Sequence, residues 1–308
     1  MERGGLTAGA GGPTRMKPAP FDYALASSID EAVNLLADTD GETIVLAGGQ
    51  TLLPMLSMRL ARPDRVVDIN GVAELAGIED AGAEIIVKAC TRQAAALASP
   101  VIRDKLPLLS KAIGHVGHTQ TRNRGTLGGS LAHADPAAEI PLAALSLDAE
   151  VTLRSVSGSR RLKVADYFVG PMMTAREPDE LLVSLHFPLR ADAAVGTGFH
   201  EIAERHGDFA VVAVAAQLGF DTGGTCTHAA VAFGGVDAHP VRIAALEAAL
   251  VNSDLGSIAV AAALDCITDG IEPTTDQHAS ADYRRRVARH LAARAIADAA
   301  QEARGGAA

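Results

Sequence analysis

Two stretches in the first half of the chain join glycine to groups that could bind an anion. In Leu46-Ala47-Gly48-Gly49-Gln50-Thr51-Leu52-Leu53, a β-branched run enters a Gly pair. Without Cβ atoms there, backbone N–H groups can approach a ligand closely, as cradling a pyrophosphate requires. Those donors are neutral amides, so an acidic protein could hold an anion without a basic patch. Taken alone, Gly48 and Gly49 read first as a tight strand-to-helix turn. The second stretch, Thr121-Arg122-Asn123-Arg124-Gly125-Thr126-Leu127-Gly128-Gly129-Ser130, adds a hydroxyl and two guanidinium groups that could complement phosphate. Two Gly loops in one domain strengthen each other. Glu139 follows in Ala132-His133-Ala134-Asp135-Pro136-Ala137-Ala138-Glu139, where a carboxylate could accept from a ribose hydroxyl or a ring N–H. Asp135-Pro136 also resembles a helix start, with Pro at the first position and Asp135 as its cap.

Other chemistries lack their residues. His115, His118, His133 and Asp135 offer an H-x-x-H pair but no further ligand or base, so no metal is expected. The nearest approach to a nucleophile elbow is Gly128-Gly129-Ser130-Leu131-Ala132, and His200-Glu201 lacks the second histidine of H-E-x-x-H. Neither Gly loop is followed by a P-loop lysine, and neither is a G-x-G-x-x-G. Cys90, Cys226 and Cys266 are scattered, giving neither a disulfide framework nor four thiolates for zinc or an iron–sulfur cluster.

The elements that must position these loops follow from periodicity. Ser27, Ser28 and Asp30 precede EAVNLLA as an N-cap region before a helix. TIVLAGG reads as a strand, QTLLPMLSMRL as a helix stopped by Arg62-Pro63, and VVDI and EIIVKACT as strands. LPLLSKAIGHVG reads as a helix, AEVTLRS with RRLKVADYF as a hairpin about S-G-S, and DELLVSLHFP as a strand. ADAAVGTG, residues 191–198, has the small residues of a linker. Beyond it GFHEIAE, FAVVAVAAQLGF and THAAVAFGGV suit one antiparallel sheet, with two or three Ala- and Arg-rich helices packed on it. The run Arg284-Arg285-Arg286 reads as a solvated helix face or a subunit interface.

The length of 308 residues allows two domains at roughly 150 residues each. Hydrophobic residues at 48% and charged residues at 21% describe a folded chain. A net charge of −10 opposes nucleic acid, and 3% aromatics without Trp leave no stacking platform for single strands. The opening MERGGLTAGAGGPTR has no apolar signal region, no stretch reaches a membrane-spanning length, and Met16 could be the true start. With its few thiols the chain is expected in the cytoplasm.

LAGGQTLLP, TRNRGTLGGSLAHADPAAE, ADYFVGP, RHGDFAVVAVAA and FGGV-x-x-x-PVR occur in this order. Together they make residues 16–300 resemble the FAD-binding medium subunit of the molybdenum hydroxylases, the group of carbon monoxide dehydrogenase and xanthine dehydrogenase-like enzymes. The resemblance implies an α+β chain. Residues 1–15, Gly-rich and apolar-poor, read by composition as a disordered tail or a start-site artefact, and the resemblance makes 16–191 a two-lobed FAD-binding domain of the vanillyl-alcohol-oxidase type. Residues 198–303 would be an α+β domain with a three-stranded antiparallel sheet and helices. It implies that Leu46, Ala47, Gly48, Gly49, Gln50, Thr51, Leu52 and Leu53, with Thr126, Gly128, Gly129 and Ser130, wrap the FAD diphosphate. Val116 would lie against the cofactor, Glu139 would replace the family's usual Asp, and Leu182 would touch the flavin side. Gln50 stands where some vanillyl-alcohol-oxidase-type proteins attach flavin covalently through His or Cys, so noncovalent FAD is expected. Some relatives carry Lys after the Phe matching Phe199; here His200 and Glu201 follow it.

The implied activity is electron relay, with no catalytic side chain on this chain. A molybdopterin-binding large subunit oxidises the substrate, two iron–sulfur clusters on a small subunit pass electrons, and FAD delivers them to an external acceptor. The implied assembly is a dimer of heterotrimers. The alternatives are a self-contained FAD oxidase or dehydrogenase and a non-catalytic nucleotide-binding scaffold.

Overall fold

The computed structural model describes residues 17–38 and 41–305; the opening stretch read as a tail lies outside them. Strands β1 (Asp22–Leu25), β2 (Thr43–Leu46) and β3 (Arg65–Asp68) form a parallel sheet with β3 in the middle. Helix α1 (Ile29–Ala37) connects β1 to β2. Its start follows the expected capping chemistry: Ser28 Oγ accepts from Glu31 N at 3.1 Å, and Glu31 Oε2 accepts from Ser27 N at 2.8 Å. Ala32, Val33 and Leu36 then bury one helix face with Val67 and Ile69. Helix α2 (Leu52–Ser57) leaves the end of β2.

The second sheet is antiparallel, in the order β4-β5-β10-β6-β7. It comprises β4 (Ile78–Asp80), β5 (Glu84–Lys88), β6 (Glu150–Ser155), β7 (Gly158–Lys163) and β10 (Leu181–Pro188), with β8 (Phe168–Gly170) and β9 (Met173–Thr174) as a separate small hairpin. The S-G-S turn closes β6 on β7 as its spacing predicts, pairing Ser155 with Gly158. Between β5 and β6 run α3 (Gln93–Ala98), α4 (Pro100–Lys105), α5 (Pro107–His115), α6 (Thr119–Arg124), α7 (Leu127–His133) and α8 (Glu139–Ser146), and α9 (Val164–Tyr167) follows β7. Leu109, Ile113, Leu131 and Leu142 of these helices share a fully buried core with Ile85, Val151, Leu185 and Phe187 of the sheet. The second glycine stretch is therefore not a loop throughout: Gly128 and Gly129 stand in the first turn of α7, capped by Thr126, whose Oγ1 accepts from Gly129 N at 3.0 Å.

The C-terminal sheet has three nine-residue antiparallel strands, β11 (Ala194–Ile202), β12 (Val212–Phe220) and β13 (Cys226–Gly234), extended by the two-residue β14 (Val241–Arg242). Helices α10 (Ala244–Leu250), α11 (Ser257–Ala263), α12 (Ile267–Gly270) and α13 (Ala281–Gly305) complete it. All nine residues of β12 are buried, because α13 covers one face and α5 and α8 the other. Ser146 Oγ of α8 donates to the carbonyls of Ala215 and Ala230 at 3.2 and 3.0 Å. On the same side Lys111 Nζ of α5 reaches Thr197 O at 2.8 Å.

Two readings of the sequence change here. Five of the eight residues read as a linker are in strand β11, and its glycines serve packing: a Cβ on Gly196 would stand 1.8 Å from Ala299 O, and one on Gly198 2.1 Å from Ala295 O. Arg284 is buried, not solvated, and donates to Gly235 O and Asp276 Oδ2, each at 2.7 Å. No helix of the described residues is long and apolar enough to cross a membrane.

Candidate cofactor site

The two glycine stretches touch through Gly48 and Arg124, 76 positions apart in sequence. After β2 the chain turns through Gly49, whose φ of +72° is the left-handed conformation that favours glycine, and Leu53 N closes the turn on Gly49 O at 3.0 Å. A Cβ on Gly48 would meet Arg124 O at 2.5 Å and Gly125 Cα at 2.9 Å, so only glycine permits this contact. Two side chains fasten the junction. Asn70 Nδ2 donates to Ala47 O at 2.8 Å, while Asn70 Oδ1 accepts from Arg92 Nη2 at 2.6 Å. The other terminal nitrogen of Arg92 donates to Arg124 O. Gln93 N also donates to Gly125 O at 2.9 Å. No sequence signal marked Asn70 or Arg92.

The stretches differ in what they leave available. Among the described residues, the N–H groups of Gly48, Gly49, Gln50 and Thr51 donate to no protein acceptor. The amides of Leu127, Gly128, Gly129 and Ser130 are taken by Thr91 O, Ala89 O, Thr126 Oγ1 and Thr126 O. The first stretch thus supplies donors. The second supplies a surface without side chains, together with the Ser130 hydroxyl.

Both face a cavity of about 520 Å³, within the range of small-molecule sites. Its wall includes Ala47, Gly48, Gly49, Gln50, Thr51, Leu52, Val116, Thr126, Gly128, Gly129, Ser130, Glu139 and Leu182. Leu46 and Leu53 stand outside it: Leu46 packs in the small core around Leu56, and Leu53 is exposed. Arg122 and Arg124 also stand outside, the former donating to the carbonyls of Val116 and Gly117 at 2.8 and 3.0 Å instead of awaiting a phosphate. The wall gains Gln93, Arg176, Glu180, Gly207 and Phe209, which residue types alone did not single out, and His133, which they had offered only as a metal ligand. Gly207 and Phe209 belong to the RHGDFA motif, so the C-terminal half contributes to the cavity.

Electrostatically the acidic end of the wall stands out. Glu139 begins α8 and is 3% exposed; burial, with the charges of Glu201 and Asp135, pushes its carboxyl up to about 7 against the opposing pull of its own N–H and of His115. Asp135 Oδ1 accepts from Ala137 N at 2.8 Å in a turn, and the helix starts three residues after Pro136, at Glu139. The histidines diverge. His115 Nδ1 bonds Glu201 Oε1 at 2.9 Å, a contact that raises its pKa against the effect of burial. His118 lies 6.1 Å from the His206 ring, and His133 Nε2 is 4.0 Å from Asp135. No group of three metal-ligating side chains occurs among the described residues. Where some relatives carry Lys, His200 bonds Asp298 of α13 at 2.7 Å and the next residue, Glu201, is an acid that bonds His115 of α5. Burial pushes the Cys90 thiol up to about 11, and it lies outside the wall.

Comparison with known proteins fits this architecture. The chain belongs to the family described as FAD binding domain in molybdopterin dehydrogenase, matched over residues 19–190 and followed over 197–299 by the CO dehydrogenase flavoprotein C-terminal domain. It is 39% identical to the 6-hydroxypseudooxynicotine dehydrogenase complex subunit alpha of Paenarthrobacter nicotinovorans, over 94% of this chain and 97% of that one. The nicotine 6-hydroxylase medium subunit of the same organism is 36% identical, over 92% and 99%. Among solved structures, carbon monoxide dehydrogenase from Hydrogenophaga pseudoflava superposes with a TM-score of 0.90 at 34% identity, covering 93% of this chain and 99% of that one. The resemblance carried by the motifs is to the family the chain belongs to.

Proposed function

We propose that this chain binds one FAD noncovalently in the cavity between its two glycine stretches and serves as the electron-transferring medium subunit of a cytoplasmic molybdenum hydroxylase. The observation that carries the reading is the set of four consecutive amides on the wall of a cavity, Gly48 to Thr51, that have no protein acceptor among the described residues. Amides so arranged suit the oxygens of a diphosphate, and charge-assisted bonds of this kind are stronger than neutral ones. The residues present fit the cofactor. The Gly129 Cβ position would lie 2.6 Å from Thr126 Oγ1, so any larger residue there would displace the wall the diphosphate approaches.

When bound, FAD would accept electrons singly and release them in pairs, the task of a junction between iron–sulfur clusters and a two-electron acceptor. The chain's own residues bind, orient and shield. Gly48 to Thr51 would hold the phosphates, Ser130 Oγ would add a hydroxyl, and Val116 and Leu182 would supply apolar wall, with Gly207 and Phe209 closing the cavity from the C-terminal half. Glu139 would replace the family's usual Asp on the wall. Residues 16–191 would be the FAD-binding domain and 198–303 the C-terminal domain. The molybdopterin and two iron–sulfur clusters would sit on large and small partner chains, two copies of each. The relatives that support this reading carry out dehydrogenase or hydroxylase chemistry by their names, and the names of two give a subunit of a complex and a medium subunit.

The test is purification with excess FAD, an absorbance spectrum, and denaturation followed by removal of protein. A flavin spectrum and FAD recovered free in solution are expected. A chain that refolds yet stays colourless would overturn the reading, and flavin remaining on the precipitated protein would overturn its noncovalent part.

A further inference from the structure

Two residues of the cavity wall, Thr43 and Gln93, keep a buried side-chain oxygen with no hydrogen-bond partner among the described residues. Thr43 opens β2, at the far end of that strand from the glycine turn. Gln93 stands at the junction itself, as the first residue of α3, and is 5% exposed. Its backbone N–H already docks the helix by donating to Gly125 O at 2.9 Å, a bond that any residue but proline could make. The side-chain amide is therefore surplus to packing, and burying it unpaired is costly. Gly125 is what admits it: a Cβ at that position would lie 2.5 Å from Gln93 Oε1 and 3.0 Å from Nε2. The same glycine receives Gly48, whose Cβ position is 2.9 Å from Gly125 Cα. Allowing one carbon–carbon bond for each contact, Gln93 Nε2 and Gly48 Cα both stand within roughly 4.5 Å of Gly125 Cα.

Nε2 carries two protons and donates to no protein acceptor among the described residues. Neighbouring side chains have spent theirs: Asn70 on Ala47 O and Asp68, Arg92 on Asn70 and Arg124 O, and Arg122 on the carbonyls of Val116 and Gly117. An acceptor for Gln93 must therefore come with a ligand, and the free amides of Gly48 to Thr51 beside it call for the same kind of group. We propose that Gln93 Nε2 donates to a non-bridging oxygen of the cofactor's diphosphate, a fifth donor that reaches it from the α3 side. The proposal rests on the FAD reading above. The turn after β2 then supplies backbone donors and the start of α3 a side-chain donor, with Gly125 between them keeping the two close. Because the donor is a neutral amide, it binds the anion without adding a cation to an acidic chain.

The test is a double-mutant cycle on FAD binding by the full chain, read by fluorescence quenching, with the Tm of each apoprotein measured alongside. Gln93→Met keeps the length of the side chain and removes the donor. The ligands are FAD and four FAD analogues, each with sulfur, a weak acceptor, in place of one non-bridging diphosphate oxygen. Gln93→Met should weaken FAD roughly 10- to 150-fold, the worth of a hydrogen bond to a charged acceptor, with little change in Tm. With one of the four analogues the wild type should lose a similar factor and Gln93→Met almost nothing more, the non-additivity that marks a direct bond. Gln93→Met binding FAD as the wild type does, or losing the same factor with all five ligands, would overturn this proposal alone. A wild-type chain that binds no FAD would overturn the flavin reading and this proposal together. If Gln93→Met does not fold, Gln93→Asn, whose amide is drawn back by one methylene, goes through the same cycle and is judged by the same outcomes.

Discussion

Replacing Gly48 by alanine tests whether the contact between the two glycine stretches governs cofactor binding. The new methyl would stand 2.5 Å from Arg124 O, where ordinary contact begins near 3.4 Å, so the stretches must part by roughly 0.9 Å. Arg92 and Asn70 resist that parting, so part of the strain falls on the turn through Gly48 to Thr51. Overpacking of this kind costs about 1–3 kcal/mol of stability. Hydrogen bonds to a charged acceptor contribute about 1.5–3 kcal/mol each. Misaligning one or two of the four amides therefore removes roughly 2–5 kcal/mol of FAD binding, a weakening of roughly 30- to 5,000-fold. The assay is titration of FAD by fluorescence quenching, with the apoprotein Tm measured alongside. Gly114→Ala is the control: its Cβ meets nothing within 4 Å. It should leave binding unchanged and raise Tm slightly by favouring helix α5. Gly48→Ala binding FAD as tightly as wild type would refute the reasoning.

Other consequences are as concrete. Gly198→Ala drives a methyl to 2.1 Å from Ala295 O and should lift α13 off β11, costing about 3 kcal/mol or more by denaturant titration. Arg284→Met leaves the carbonyls of Val211 and Gly235 without their buried donor, and should lower stability by about 2–5 kcal/mol, read as a fall in denaturation midpoint. The Asp276 carboxyl is held down to about 2, first by the N–H of Ala279, then by that of His278 and by Arg284. Its stabilisation should therefore be complete above about pH 4 and lost as pH falls toward 2, a loss that Asp276→Asn abolishes in a midpoint-against-pH series. His115, with its pKa raised by Glu201, should show the opposite sign, stabilising below about pH 6.5 and fading as pH rises, a trend absent in Glu201→Gln.

The sequence carried the local half of this site. The turn at Gly49, the start of α1 and the alternation of β6 and β7 depend on neighbours within a few positions, and spacing reveals them. What Gly48 packs against was illegible, because Arg124 and Gly125 arrive from far along the chain. For the same reason the second stretch read as a loop offering a hydroxyl and two guanidinium groups to phosphate, although it enters a helix whose first amides are occupied by Ala89, Thr91 and Thr126 and Arg122 turns to carbonyls. Arg92 and Asn70 carry no pattern that distinguishes them from surface residues. The misread linker shows one glycine serving two purposes: at Gly196 and Gly198 the missing side chain admits a helix, whereas flexibility needs the same residue in a loop. Arg284 was more legible than its charge suggested. It lies four residues before Ala288 on the face that continues through Leu291, Ala295 and Ala299, so position within the apolar stripe outweighs membership of an Arg run.

Amide hydrogen exchange, followed by mass spectrometry with and without FAD, addresses the binding geometry most directly. Protection on adding FAD should concentrate in peptides spanning 47–53, whose N–H groups at Gly48 to Thr51 lack protein acceptors, and change little over 127–130, whose amides are already bonded. FAD that binds while exchange across 47–53 stays the same would contradict the account.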